Sequence, residues 1–252
     1  MSGHSKWATI KRKKGAADAK RGKVFTKVVR EITTAARIGG GDPNGNPRLR
    51  SAILAAKAAR MPADNIDRAI KKGTGALDGP PVEETVYEGY APGGVALFIE
   101  AQTDNKNRTT SEVRTALTKA NGALGASGSV AYMFKRRGQF VFDASKYSED
   151  EVMEVALEAG AEDVVKEDDT ITVTCEMQLF TAVVEAFDKR NLKYEEGELT
   201  MIPENYIKVS GESAEKVLKL VERLEELDDI QKVHSNFDID ADELERIANS
   251  ST

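Results

Sequence analysis

Cysteine is nearly missing from this 252-residue chain: Cys175 stands alone, which excludes an intramolecular disulfide and fits a reducing compartment. Histidine is almost as scarce. His4 and His234 lie at opposite ends of the sequence, and no Cys/His cluster has the spacing of a zinc site. No apolar run approaches the roughly 20 residues needed to span a bilayer, and the charged N-terminus has no apolar segment behind it, so neither a membrane span nor a secretory signal is expected. Catalytic motifs are absent too. Gly22-Lys23 lacks the partner glycine and the Ser/Thr of a phosphate loop, and Gly73-Thr74-Gly75 lacks the third glycine of a dinucleotide fingerprint. Asp104-Asn105-Lys106-Asn107 begins like a calcium loop, but Arg108 and a missing glycine spoil it. Acids are plentiful, yet none forms a spaced pair that points to acid–base work. The chain is therefore read as a non-enzyme, with no cofactor and no small-molecule substrate.

What the chain does have is charge, unevenly placed. Its first thirty residues hold ten cations, namely Lys6, Lys11, Arg12, Lys13, Lys14, Lys20, Arg21, Lys23, Lys27 and Arg30, against the single acid Asp18. Residues 1–79 carry 18 of the 36 basic and 6 of the 42 acidic residues, a net of +12, which leaves 18 basic and 36 acidic residues, a net of −18, for the remainder. A split this wide within one chain suggests that one part meets a polyanion and the other does not.

The basic part reads as helices. Over residues 20–38, at about 100° per residue, Lys20, Lys23, Lys27, Arg30 and Arg37 fall within an arc of about 100°. Val24, Phe25, Val28, Val29, Ile32, Ala35 and Ala36 fall on the other side. Gly39-Gly40-Gly41-Asp42-Pro43 ends this helix. A second opens at Pro47 and runs to about Arg60, with Leu49, Ile53 and Ala56 inward. A third follows Pro62, with Ile66, Ala69 and Ile70 inward and Gly73 as its stop. Lys71 and Lys72 sit in its last turn, where cations suit the helix dipole. A solvated face normally mixes signs, and the stripe does not. A membrane surface fits less well, because the apolar side is rich in Val and Ala and looks like packed core. Trp7, among the cations, either stacks on a base or anchors packing, and anchoring is the commoner role.

Ala76–Pro81 reads as a hinge. Strands are expected at 84–90 and 93–102, then a helix from a Thr109/Glu112 capping box to about Asn121, then a strand near 130–135. From residue 138 the order is strand 139–143, helix 149–159, strands 163–166 and 170–175, helix 179–189 and strand 193–199. This is the βαββαβ order of a ferredoxin-like unit. Segments 206–209, 214–224 and 231–236 add a strand, a helix and a strand that most easily complete the sheet begun at 84. Asp228-Asp229 reads as a helix-to-strand turn and Cys175 as core. The expected fold is α+β in three domains: a basic three-helix domain over 1–79, a middle α+β domain over 80–135 and 203–240, and a ferredoxin-like α+β domain over 136–202 inserted into it. Residues 241–252 are left as an acidic, frayed tail.

Several strings recur together: Gly3-His4-Ser5-Lys6-Trp7-Ala8-Thr9-Ile10-Lys11, Asp18-Ala19-Lys20-Arg21-Gly22-Lys23-Val24-Phe25-Thr26-Lys27, Asn46-Pro47-Arg48-Leu49-Arg50 and Arg68-Ala69-Ile70-Lys71-Lys72-Gly73-Thr74-Gly75. Later come Tyr87-Glu88-Gly89-Tyr90, Thr103-Asp104-Asn105, Asn107-Arg108-Thr109, Gly128-Ser129-Val130 and Asp228-Asp229. On these residues the chain resembles the YebC family over nearly its full length; Ala123 is a small departure, standing where the family more often shows Asn. The resemblance implies the same three-domain layout. It also implies a regulator of gene expression that binds nucleic acid, either a DNA-binding transcriptional regulator or a ribosome-associated factor that meets ribosomal RNA and tRNA and helps translation through proline-rich stretches. The family string starts at Gly3, which leaves no room for a mitochondrial presequence and points to a cytoplasmic member. The expected nucleic-acid contacts are Lys6, Lys11, Arg12, Lys13, Lys14, Lys20, Arg21, Lys23, Lys27, Arg30 and Arg37, with phosphate neutralised and no base read. The acidic remainder stays off the nucleic acid or takes a protein partner. The rival from another class is a scaffold in which the basic domain clasps an acidic surface, its own C-terminal part included.

Overall fold

The computed structural model of the protein describes Trp7, residues 21–167 and residues 169–250. Helix α1 (Arg21–Gly39) packs on α2 (Pro47–Ala58) and α3 (Ala63–Gly73). Their shared core is Ile32, Ala35, Ala36, Leu49, Ala52, Ala56, Ile66 and Ala69, with Phe25, Val28 and Val29 partly covered. This is the apolar side expected of α1, although Val24 stays 43% exposed. The loop after α1 is closed by Asn46. It caps α2 through Leu49 N at 3.0 Å and donates from Nδ2 to the carbonyls of Ala35 and Gly40, both at 2.8 Å. At Gly73 the helices meet backbone to surface: a Cβ there would lie 2.3 Å from the Thr33 carbonyl oxygen.

A first sheet follows. Strand β1 (Glu83–Tyr90) pairs antiparallel with β2 (Ala96–Thr103) from Glu83↔Thr103 to Tyr90↔Ala96. Gly93 and Gly94, expected at the start of the second strand, instead form a one-turn 3-10 segment, each at φ 79°. Strand β2 is central and covered on both faces. Leu97, Ile99 and Ala101 face the main core, whereas Ala96 and Phe98 meet Val130 and Phe134. Helix α4 runs Lys106–Lys119, and its cap is Asn105, which accepts from Arg108 N. The expected Thr109/Glu112 capping box is not used. Thr109 lies one turn inside the helix and its hydroxyl is engaged elsewhere. The short strand β3 (Ala123–Leu124) pairs with β1.

Strand β4 (Phe134–Asp143) is one ten-residue strand where the sequence suggested two, at 130–135 and 139–143. With α5 (Glu149–Glu158), β5 (Asp163–Glu167), β6 (Thr170–Glu176), α6 (Phe180–Lys189) and β7 (Glu196–Pro203) it makes an antiparallel sheet of order β5-β6-β4-β7. That is the arrangement expected of a ferredoxin-like βαββαβ unit. Its core is aromatic: Phe187 meets Phe140 and Phe142 edge-on at 5.2 and 4.9 Å. Alternation along β4 sends Phe140 and Phe142 to the helix side. Cys175 lies in that core, fully buried.

The chain then returns to the first sheet. Strand β8 (Ile207–Lys208) pairs in parallel with β10 (Phe237–Asp238), and α7 (Gly211–Glu225) leads into β9 (Ile230–Ser235), which pairs with β2. The first sheet has order β3-β1-β2-β9, so β9 completes it as expected. The frayed tail is corrected. Residues Ala241–Ser250 form α8, whose Leu244, Ile247 and Ala248, spaced i, i+3, i+4, are buried in the main core. Trp7 lies in the same core, 5% exposed, among residues of the first sheet and its helices. The anchoring role therefore holds, and its indole is withdrawn from any base.

Candidate nucleic-acid interface

Of the cations expected to meet phosphate, Lys6, Lys11, Arg12, Lys13, Lys14 and Lys20 lie outside the described residues, and Arg21 opens α1. Lys23, Lys27, Arg30 and Arg37 follow on α1, away from the Ile32–Ala36 side as their spacing requires. Lys23 and Arg37 are exposed. The flank they define is not wholly solvent-facing, because it runs beside the end of α7.

Arg30 is only 15% exposed at its side chain, and its guanidinium lies 2.5 Å from Oδ1 of Asp229, itself 2% exposed. Two turns earlier, Lys23 Nζ stands 3.9 Å from Glu226. The other oxygen of Asp229 is crowded. Thr109 Oγ1 donates at 2.6 Å, Arg108 at 2.7 Å and Thr103 Oγ1 at 3.0 Å. The Asp229 carbonyl accepts from Gln102 N at 2.8 Å, and Arg108 also holds Asp104 at 2.8 Å. Burial by itself would raise the Asp229 carboxyl; the bonds from Thr109 and Arg108, the charge of Arg30 and the bond from Thr103 outweigh it and hold it below the usual carboxylate range. Asp228-Asp229 does form the expected helix-to-strand turn. Its second residue is also the hub of a buried network joining the helical region to the first sheet.

A second polar contact runs along the same seam. Glu31 receives Arg48 through two nitrogens, at 2.6 and 2.9 Å, and Gln102 Nε2 at 2.6 Å. Arg48 also reaches Glu84 at 2.7 Å. Arg37 is close enough to add to the lowering of Glu83, owed first to Lys106, and of Glu84, owed first to Arg48. Arg30 and Arg48 are thus occupied by the protein's own carboxylates. None of Asp229, Thr103, Thr109, Gln102 and Glu31 was singled out from sequence as a site residue. The available signal was their place in recurring polar strings, Thr103-Asp104-Asn105, Asn107-Arg108-Thr109 and Asp228-Asp229, which the fold gathers at one point.

Chemically this is a charge-bearing surface and not a reaction centre. Among the described residues no group of three or more His, Cys, Asp or Glu side chains is placed to hold a metal ion, and no helix is long and apolar enough to cross a membrane. His234 is buried between the two large sheets. Its Nδ1 stands 3.4 Å from Thr200 Oγ1 and its Nε2 3.5 Å from Glu100. Cys175 is held in thiol form by burial, with Glu162 adding to the upward shift.

Comparison with known proteins places these features in context. Residues 5–76 match the family model of the TACO1/YebC protein N-terminal domain, and residues 82–237 match that of the TACO1/YebC second and third domain. A probable transcriptional regulatory protein of Trichlorobacter lovleyi is 56% identical over 247 residues, covering 98% of this chain and 100% of the relative. One from Geotalea uraniireducens is 55% identical over the same coverage, and one from Treponema denticola 55% identical over 95% of this chain and 97% of its own length. The crystal structure of a conserved hypothetical protein from Aquifex aeolicus superposes with a TM-score of 0.80 at 49% identity, covering 88% of this chain and 92% of that one.

Proposed function

The chain belongs to the TACO1/YebC family, and on that premise we propose that it is a non-enzymatic regulator of gene expression which binds nucleic acid through the cationic flank of α1 and the basic segment before it. Its relatives are named probable transcriptional regulatory proteins, which supports the regulatory half of this reading. The binding half rests on one observation: a net +12 over residues 1–79, with Lys23 and Arg37 exposed on the side of α1 opposite its core. Such side chains neutralise phosphates and release counterions, so affinity falls with salt by about 0.9 log units per log unit for each phosphate contacted on duplex DNA and about 0.7 on single strands. With Trp7 buried, the chemistry on offer is phosphate contact without base stacking, which positions the protein and reads no sequence. Duplex DNA and folded ribosomal or transfer RNA both suit it. The protein acts in the cytoplasm.

The test has two parts. Binding of the purified chain to a short DNA duplex and to a transfer RNA is followed across a salt series, for the wild type and for a variant with Lys20, Lys23 and Lys27 changed to Gln. A weaker and shallower salt dependence in the variant supports the reading, and wild-type binding that ignores salt refutes it. Crosslinking in cells, with both DNA and RNA partners sequenced, then separates promoter DNA from ribosomal RNA and tRNA.

A further inference from the structure

The end of α7 and the turn after it read Glu222, Glu225, Glu226, Asp228 and Asp229, five acids in eight residues. This run lies along the cationic flank of α1, with Glu226 beside Lys23 and Asp229 on Arg30. Lys23 and Arg30 are seven residues apart, about 10.5 Å along a helix at 1.5 Å per residue. Carboxylates therefore face the flank over two turns, in positions that suit the oxygens of a phosphate chain. We propose that this acidic run is an intramolecular stand-in for nucleic-acid phosphate, covering Arg30 and Lys23 in the free protein and giving them up when nucleic acid arrives. The inference rests on the nucleic-acid reading of the preceding section and specifies how that site is regulated.

The geometry favours a releasable contact over a permanent bolt. Arg30 meets Asp229 through one terminal nitrogen, and its buried Nε makes no hydrogen bond among the described residues. The guanidinium is thus held at one point, whereas a phosphate can take it through two parallel bonds. Asp229, in turn, does not depend on Arg30. Its Oδ2 keeps Thr103, Thr109 and Arg108 whether or not Arg30 stays. The Lys23–Glu226 contact is long and about half exposed on both sides, the kind of pair that contributes little. The remaining seam, Glu31 with Gln102 and Arg48 with Glu84, can hold α1 in place while the Arg30 side chain swings away. The exchange is a competition between two anions for one cation, and the covered state lowers apparent affinity in proportion to its population.

The test compares the wild type, Glu226→Gln, Asp229→Asn, Arg30→Gln and the Arg30→Gln/Asp229→Asn pair for binding to a labelled DNA duplex and a transfer RNA over a salt series. Asp229→Asn is expected to bind several-fold tighter, with a log–log salt slope on the duplex steeper by about 0.9, one extra phosphate contact. Glu226→Gln should move the same way by less. Arg30→Gln alone should change little, because its cation is already covered, and in the pair it should erase the gain of Asp229→Asn. Circular dichroism checks the fold; if Asp229→Asn is unfolded, Glu226→Gln decides. Salt-sensitive wild-type binding that Asp229→Asn and Glu226→Gln leave unchanged or weaken overturns the stand-in alone. Absence of salt-sensitive binding in every protein overturns the nucleic-acid reading and this inference with it.

Discussion

Replacing Glu88 with glutamine removes one charge and one acceptor from a site built around both. Glu88 is 5% exposed at the end of β1. Its Oε1 accepts from Gly128 N at 2.6 Å, and its Oε2 from Val130 N at 2.7 Å and Ala131 N at 2.8 Å. The loop that enters β4 is thus folded around a carboxylate, with Tyr90 donating to the Ser129 carbonyl at 2.9 Å beside it. A glutamine oxygen can keep Val130 and Ala131, but its amide nitrogen then faces the Gly128 N–H, donor against donor. Leaving a buried donor unmet costs about 1–3 kcal/mol, and exchanging a charged acceptor for a neutral one weakens each remaining bond by about 1 kcal/mol. Two terms reduce the total: Gly128 is exposed, so water can serve its N–H, and the neutral side chain is cheaper to bury. A net loss of roughly 2 kcal/mol results, which corresponds to about 30-fold faster amide exchange at Val130 and Ala131 wherever exchange passes through opening of this loop. The effect should fade in acid. Burial raises the Glu88 carboxyl, but the three backbone donors outweigh it and hold it below its ordinary value. The stabilisation is then complete above the unfolded value of about 4.3 and is lost as pH falls through the lower folded value, so wild type and variant converge there. Exchange within a factor of about 3 of wild type at neutral pH, or a difference that persists in acid, refutes the reasoning.

Gly73→Ala should lower the thermal stability of the helical region by about 1–3 kcal/mol despite alanine's better helix propensity, because its Cβ would meet the Thr33 carbonyl oxygen at 2.3 Å and the Ala36 Cβ at 2.8 Å; an unchanged or raised melting temperature counts against the close approach of α1 and α3. Leu244→Ala, at a fully buried position of α8, should cost about 2–5 kcal/mol and move the urea midpoint reported by Trp7 fluorescence, since both residues share the main core; a midpoint that does not move would restore the frayed tail. Cys175, fully buried with its thiol raised by burial, should resist a disulfide reagent in the native protein and react at once in denaturant; prompt native reaction places it outside the core.

The readable parts of this fold are those in which one residue repeats one demand. Ile32, Ala35 and Ala36 on α1, and Ile66 and Ala69 on α3, recur at helical spacing because each faces the same neighbour, and Phe140 and Phe142 alternate because one side of β4 meets helices. The misread parts turn on a single partner. Gly93 and Gly94 look like strand residues among hydrophobics, but both hold a φ of 79° that only a turn needs. Thr109 looks like a helix cap because its hydroxyl is of the right kind, yet that hydroxyl serves an aspartate 120 residues away. The stripe Leu244, Ile247, Ala248 was present in the sequence and was outweighed by the acids around it.

The candidate site divides in the same way. A cationic flank can be derived from spacing, since helical geometry alone decides which side each residue takes. Its cover cannot, because Arg30 carries the same charge whether it meets phosphate or Asp229. What joins the helical region to the first sheet is mostly polar: Arg30 with Asp229, Glu31 with Gln102, and Arg48 with Glu31 and Glu84. An apolar seam of this extent would be indifferent to salt and to anions. A seam of charge-assisted bonds, partly open to water, specifies the orientation of α1 through bond direction and can still be entered by a competing anion. The scaffold in which the basic region clasps its own acidic part and the regulator that binds nucleic acid are then two states of one surface, and the charge of Asp229 sets the balance between them.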